Sequence, residues 1–388
     1  MNFFLHPPLA MRRALLGGLC ALALLVALSP ARQAAAFLLQ TQPTVVINEV
    51  LAHADDPYVD AIELFNPGDA AIDLSGWLMT DDDTRPQSEW VTLPAGATLD
   101  AGGFYVIEDT GNDWPFGLSE AGDNVFLFRP NPLGGAPIQV VAMRFGASPR
   151  NVSFIRYVDS VGKARFPMQS GGPTLGAANC GVLISAVQLE ELMIDPSSGD
   201  SEYVVVANVG SVPAPLFDPA YPANTWKLIG QKSTGKDADM FVLPQGVTLA
   251  PGERIILSEI SPDLFRQEQN IPASVRIYGP LDSGLSSSGE RIALGMPLEP
   301  ELDAKVNYAL VDEVEYSNQP PWPSVAENGK ALRRVNPAAF GNDVANWAAA
   351  PALQSVRSVA FNTQRGARHF NAEDLYLPFA SRRYCEVY

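Results

Sequence analysis

The chain has 388 residues, 47% of them hydrophobic, and a formal net charge of −17 from 26 Lys and Arg against 43 Asp and Glu. That length holds two domains with a core each, and that hydrophobic content excludes a disordered chain. A surface this acidic argues against nucleic acid as a partner, because affinity for phosphate backbones rests on basic contacts that displace counterions.

Residues 1–36 read as an export signal. Arg12 and Arg13 supply the positive start, residues 14–28 are apolar and uncharged, and Ala34-Ala35-Ala36 offers the small residues a signal peptidase needs. The apolar run is shorter than the roughly 20 residues of a membrane span, which favours cleavage over a retained anchor. Leu19 before Cys20 argues against a lipid anchor. Cleavage removes Arg12, Arg13 and Arg32 and no acidic residue, leaving 23 Lys and Arg against 43 Asp and Glu, a formal charge of −20. Two cysteines remain, Cys180 and Cys385. In an exported protein they are expected to form a disulfide, with two separately buried thiols as the alternative.

From residue 44 the chain alternates apolar and polar residues in short bursts, at 45–47, 61–65, 103–107, 124–128 and 139–142. Turn formers such as Asn66-Pro67-Gly68-Asp69 and Leu74-Ser75-Gly76 separate them, and no long stretch has helical spacing. The 33 Pro and 31 Gly suit many short strands joined by turns.

A pattern then occurs twice. Leu93-Pro94-x-Gly96-x-Thr98-Leu99-x-x-Gly102 returns as Leu243-Pro244-x-Gly246-x-Thr248-Leu249-x-x-Gly252, after Trp77 and Trp226. Asn66-x-Gly68 recurs as Asn208-x-Gly210, Gly117-Leu118-Ser119 as Gly284-Leu285-Ser286, and Gly122-Asp123 as Gly289-Glu290. The repeat predicts an all-β protein of two tandem antiparallel units, each a sandwich or barrel of seven to nine strands, over residues 43–179 and 181–352. The second copy carries insertions at 212–224 and 261–273, of which the latter is expected to form a short helix. Residues 353–388 read as a tail rich in arginine, with one apolar burst at 375–379 expected as an edge strand or a segment docked on the second domain.

These motifs resemble the lamin tail domain family, an immunoglobulin-like β-sandwich. The first copy carries Ile47-Asn48-Glu49-Val50, Ile62-Glu63-Leu64-Phe65-Asn66-Pro67-Gly68, Asp73-Leu74-Ser75-Gly76-Trp77 and a closing Thr174-x-Gly176-Ala177-Ala178-Asn179. The second is weaker at its start, where Ser185-Ala186-Val187 stands in place of the Asn-Glu pair. Its end, with Pro321-Trp322-Pro323, Leu332-Arg333-Arg334, Gly341-Asn342-Asp343 and Asn346-Trp347, is similar to bacterial members. The resemblance implies two immunoglobulin-like sandwiches and no catalytic set. In the first copy Asn66-Pro67-Gly68 is expected to turn with a positive φ at the glycine, and Asn48 and Glu49 to start the first strand.

Catalytic chemistry is hard to assemble from these residues. His53 and His369 are the only histidines after the signal, and there is no Gly-x-Ser-x-Gly, His-Glu-x-x-His or Cys-x-x-Cys motif. No cofactor is expected, calcium apart: Asp109, Asn112 and Asp113 around Gly111 are hard oxygen ligands, against the plainer reading of a solvated acidic turn. Trp322 and Trp347 read first as packing residues. With Trp114 they are also the stacking candidates for a sugar. The leading expectation is a non-enzymatic binding, adhesion or structural protein, secreted or at the cell surface, whose partner is an envelope protein or polysaccharide. A carbohydrate-binding module is the second reading, and a hydrolase with a site between the domains the third.

Overall fold

The computed structural model describes residues 44–111, 114–231, 235–301, 304–325 and 329–359. The chain divides into Met1–Pro43 and Thr44–Tyr388, and every described residue lies in the second part.

The first repeat runs through β1 (Val46–Leu51), β2 (Ala61–Phe65), β3 (Ile72–Asp73), β4 (Leu78–Thr80), β5 (Val91–Thr92), β6 (Thr98–Leu99), β7 (Phe104–Glu108), β8 (Gly122–Arg129), β9 (Ile138–Gly146) and β10 (Phe154–Ile155). A small hairpin follows, β11 (Tyr157–Val158) and β12 (Ala164–Arg165). A sheet of order β10-β1-β2-β7 packs on a sheet of order β5-β4-β8-β9, with β3 and β6 paired as a ribbon. Alternation along the strands fills the space between: Ile47, Leu64 and Ile107 from one sheet meet Met79, Val125, Leu127 and Met143 from the other.

The second repeat runs through β13 (Val187–Met193), β14 (Tyr203–Asn208), β15 (Ala214–Pro215), β16 (Lys227–Gln231), β17 (Asp237–Val242), β18 (Thr248–Leu249), β19 (Arg254–Ser258), β20 (Arg276–Tyr278), β21 (Gly289–Pro297), β22 (Tyr308–Ser317), β23 (Lys330–Arg334) and β24 (Trp347–Pro351). Its sheets have the orders β20-β19-β14-β13-β23-β24 and β17-β16-β21-β22, with a β15-β18 ribbon. Strand for strand this is the first topology, widened by β20 at one edge and β24 at the other. The fold is therefore all-β, two tandem immunoglobulin-like sandwiches. Each framework has ten strands, above the expected seven to nine, because the two-residue ribbon strands are too short to leave an alternation in the sequence.

The repeated motifs hold the same joints in both copies. Asn66 donates its side-chain amide to the Ala70 and Leu99 carbonyls and accepts from the Gly68 N–H, while Asn208 does the same with Val212, Leu249 and Gly210. Both asparagines are buried, so each closes a turn and satisfies carbonyls that water cannot reach. Gly68 does not take the positive φ expected of it, and neither does Gly210. Space selects glycine there instead: an added Cβ would lie 3.0 Å from Asn66 Oδ1 at Gly68, and 2.9 Å from the Ala186 Cβ at Gly210.

Gly122 and Gly289, which open β8 and β21, do need positive φ, at 106° and 126°. A Cβ at Gly289 would also lie 2.6 Å from the Tyr316 carbonyl oxygen across the β21–β22 pair. Gly289→Ala combines strain with a backbone clash and is expected to cost about 2–4 kcal/mol, read by urea unfolding. A loss below about 0.5 kcal/mol would show that the strand pair gives way freely.

The 261–273 insertion departs furthest from a plain sandwich. It forms a helix, Pro262–Gln269, and returns as β20, which pairs with β19 in parallel. A parallel neighbour requires a crossover of this kind. The helix places Phe265 on a second apolar cluster over the outer sheet face, with Met193, Tyr203, Val205, Ile256 and Ile277. A terminal helix, Gln354–Val359, adds Val356 to it, and Leu353 just before it joins the same cluster. Residues read from sequence as the start of the tail are thus part of the second sandwich, while the apolar burst at 375–379 lies outside the described residues. Among the described residues no helix is long and apolar enough to cross a membrane.

The β11–β12 hairpin joins the repeats. Tyr157 donates to Asp343 at 3.1 Å, Lys163 pairs with Glu315 at 2.8 Å, and Arg165 bonds both Asp159 and Glu315. Tyr157 also meets Phe340 edge-on at 5.1 Å.

Candidate functional site

The densest polar arrangement lies under the closing segment of the first repeat. Asn48 and Glu49 do not begin β1; they sit at a bulge within it, which turns the Glu49 side chain onto the outer face of the sheet, opposite Glu63 on β2. Residues 168–182 cross that face as a strap. Glu49 accepts from Ser153 Oγ at 2.6 Å, Gln169 Nε2 at 3.1 Å, the Thr174 N–H at 2.9 Å and Thr174 Oγ1 at 2.7 Å. Glu63 accepts from Asn48 Nδ2 at 2.7 Å and from the Gly176 N–H, and Asn179 bonds Asn48 in turn. Both carboxylates are fully buried. Burial pushes Glu63 up to about 7, opposed by the bonds from Asn48 and Gly176 and assisted by the charge of Glu49.

Displaced carboxylates often mark catalysis, but structural networks displace them as well. Here a substrate could reach neither group without lifting the strap, and every donor aimed at them belongs to the fold. The chemistry this arrangement performs is to fasten the strap.

The pH consequence has a definite sign. The folded value near 7 lies above the ordinary 4.5, so folding takes up a proton between those pH values and stability falls as pH rises through that window. Glu63→Gln removes the ionisable group. Its advantage over the parent chain is expected to grow by roughly 3 kcal/mol between pH 4.5 and pH 8, measured by urea unfolding. A gap that does not change with pH would sink the assignment.

The second repeat has the same device in altered form. β13 carries a bulge at the matching place, and Glu191 there is fully buried. Glu191 accepts from Tyr203 Oη at 2.7 Å, from Arg333 Nη2 at 2.7 Å and from the Leu353 N–H at 2.6 Å. Burial, then the Glu191 charge, raises the Tyr203 hydroxyl well above its ordinary value. This corrects the alignment of the second copy: the counterpart of Asn48-Glu49 is Glu190-Glu191, not Ser185-Ala186-Val187. The missed signal was spacing, since Glu49 precedes Asn66 by the same interval as Glu191 precedes Asn208.

One end of each sandwich is acidic. In the first repeat Asp60 is raised by burial above all, with Asp109 and Glu120 adding to it, and His53 pairs with Glu120 at 3.1 Å. In the second, Glu202 is pushed up to about 7 by burial first and then by Glu259, Glu290 and Asp195, despite a bond from the Leu285 N–H. For the calcium expectation, Asp109 accepts from the Trp114 N–H at 3.3 Å; Asn112 and Asp113 lie outside the described residues. Among the described residues no group of three or more His, Cys, Asp and Glu side chains has an arrangement that could hold a metal ion.

Two of the three candidate tryptophans are buried. Trp347 is 4% exposed, donates to the Gly341 carbonyl at 2.7 Å and packs under Arg334, while Trp114 is 9% exposed against Phe116. Trp322 is half-buried and packs on the main core. Trp114 and Trp322 come from separate loops and Trp347 opens β24, and burial leaves Trp114 and Trp347 no open ring face for a sugar. Two carboxylates at the junction are shifted downward. Burial opposes the change, yet Lys163 and Arg165 hold Glu315, and Ser160, Ala345 and Tyr157 hold Asp343, below the ordinary range. Cys180 is disulfide-bonded and donates its N–H to Gln169; Cys385, its expected partner, lies outside the described residues.

Two shallow grooves flank the outer faces. One, of about 330 Å³, lies between Tyr58, Glu108 and strap residues Pro173, Thr174, Leu175, Ala177 and Ala178. The other, of about 300 Å³, includes Tyr203, Gln269, Ala352 and Arg357.

Comparison with known proteins agrees with this framework at its first half. No curated protein matches the chain. Among solved structures, a DUF4876 family protein from Bacteroides thetaiotaomicron is similar at 11% identity and a TM-score of 0.27, over 80% of this chain and 92% of that one. The lamin tail domain family matches residues 39–142, the stretch holding Asn48, Glu49, Glu63, Asn66 and the first of the paired turns. The chain therefore carries a lamin tail domain in its first repeat.

Proposed function

We propose that the protein is an exported, non-enzymatic binding or structural protein built from two lamin-tail-type sandwiches, acting at the cell surface or outside the cell. The observation that carries this reading is the duplicated lock. Glu49 and Glu191 occupy matching bulges, and each is consumed in holding its own closing segment. Matching sheet orders and matching Asn66 and Asn208 joints support treating the second repeat as a further copy of the same domain. The strongest hydrogen-bonding groups are thus spent on the scaffold, which leaves loops and sheet edges as working surface. The leader at residues 1–36 supports export, and the acidic surface favours an envelope protein or polysaccharide over nucleic acid.

The test is a binding screen of the chain from residue 37 against cell-wall polymers, glycans and duplex DNA. Saturable binding to an envelope component with no binding to DNA is the expected result. Turnover of a phosphoester, nucleic acid or glycan substrate that persists through extensive purification would overturn it.

A further inference from the structure

The two repeats differ at one edge. In the second, β19 is covered by β20; in the first, the matching strand β7 is the last of its sheet and no described strand lies beyond it. The Asp109 N–H bonds the Asp60 carbonyl and the Asn66 N–H bonds the Gly103 carbonyl, so the odd-numbered residues of β7 face β2. By antiparallel alternation Phe104, Val106 and Glu108 turn their N–H and C=O groups outward. No described residue hydrogen-bonds to them on that side. The matching groups of β19, at Arg254, Ile256 and Ser258, face β20 and the loop after it, whose Leu281 N–H bonds the Ser258 carbonyl.

The geometry points to β7 as the acceptor for a strand from the chain's own tail, residues 375–379. The second repeat defines what such a strand must be: β20 is apolar on both faces, with Ile277 in the outer cluster and Tyr278 against the main core. Leu375-Tyr376-Leu377-Pro378-Phe379 is the run between residue 360 and the end that meets this need. It has five residues, as β7 has. Its proline fits as well. With Pro378 facing solvent, where a missing N–H costs nothing, Leu375, Leu377 and Phe379 turn their N–H groups to β7.

Reach is sufficient at both ends. Fifteen residues separate Val359 from Leu375, a span of up to about 50 Å. Cys180 follows Asn179, which bonds Asn48 on β1, and β7 lies two strands away, about 10 Å. A bridge from Cys180 to Cys385 would tether the tail on this face, and the six residues from Phe379 to Cys385 span up to about 20 Å. The open groove beside Glu108 and Tyr58 lies next to the same edge.

Amide hydrogen exchange tests this, residue by residue, on the full chain. Val106 and Glu108 are expected to exchange about tenfold or more slowly than in Leu377→Pro, with Tyr105 and Ile107 unchanged. Tyr376→Pro, whose lost N–H faces solvent, should behave as the parent, and a chain ending at Val359 should match Leu377→Pro. Equal exchange of Val106 and Glu108 in all four proteins would overturn the assignment. So would protection that grows with protein concentration, since the strand would then come from a second molecule.

Discussion

Glu49→Ala is expected to destabilise the protein by about 3–5 kcal/mol, a fall in Tm of roughly 10 °C, with the strap becoming the first site of proteolysis. The substitution leaves four donors aimed at a cavity: Ser153 Oγ, Gln169 Nε2, and the Thr174 N–H and Oγ1. Each is buried or half-buried, and a stranded donor there costs about 1–3 kcal/mol because it cannot recover its bond to water. Glu49→Gln keeps the shape and one acceptor and can donate to Thr174 Oγ1, so it should lose only about 1–2 kcal/mol. Thermal unfolding and limited proteolysis of the three proteins check this. A loss below about 1 kcal/mol for Glu49→Ala would mean that the strap is held by packing rather than by the carboxylate.

The second large effect belongs to Arg334→Ala. Arg334 Nη2 contacts both Asp312 oxygens at 2.6 Å, and their side chains are 3% and 8% exposed. Asp312 also accepts from the Leu189 N–H at 2.8 Å, tying β13 to the opposing sheet. Removing one partner of a buried pair costs about 3–5 kcal/mol, because the other charge stays out of water. Even with Arg334 present, burial holds Asp312 above its ordinary value, and without the guanidinium that rise must grow. A carboxylate raised in the folded state stabilises more at low pH, so the variant's deficit should be larger at pH 8 than at pH 5. Urea unfolding at the two pH values reads this. The double variant Arg334→Met with Asp312→Asn, which strands no charge, should recover much of the loss.

Several features were legible in the amino-acid sequence because they depend on neighbours along the chain. Alternation gives strands, the Leu-Pro-x-Gly turns punctuate them, and two copies of one pattern imply two copies of one framework. Asn66 and Asn208 could be read as turn residues because their bonds run to backbone within a few positions as well as to a more distant carbonyl. The helix at Pro262–Gln269 was visible in an insertion that the first copy lacks.

Other features rest on contacts between distant residues. The bulge that aligns Glu191 with Glu49 depends on pairing with β14 and β2, and the local sequence around the two glutamates differs too much to show it. Trp114 stands in an irregular segment and Trp347 opens the short edge strand β24, and only the folding of those segments onto a sandwich buries their rings. Arg333 and Arg334 are adjacent in sequence, yet one binds Glu191 on the outer face and the other Asp312 toward the core, because successive side chains on a strand point to opposite faces. Sequence by itself determined the fold class and its duplication, since short-range periodicity and turn chemistry repeat with the chain. Tertiary structure alone decided which carboxylates are buried, which partners neutralise them and which sheet edge no described strand covers, because desolvation and pairing are set by residues far apart in the chain, more than a hundred positions for Glu49 with Ser153 and Glu191 with Leu353.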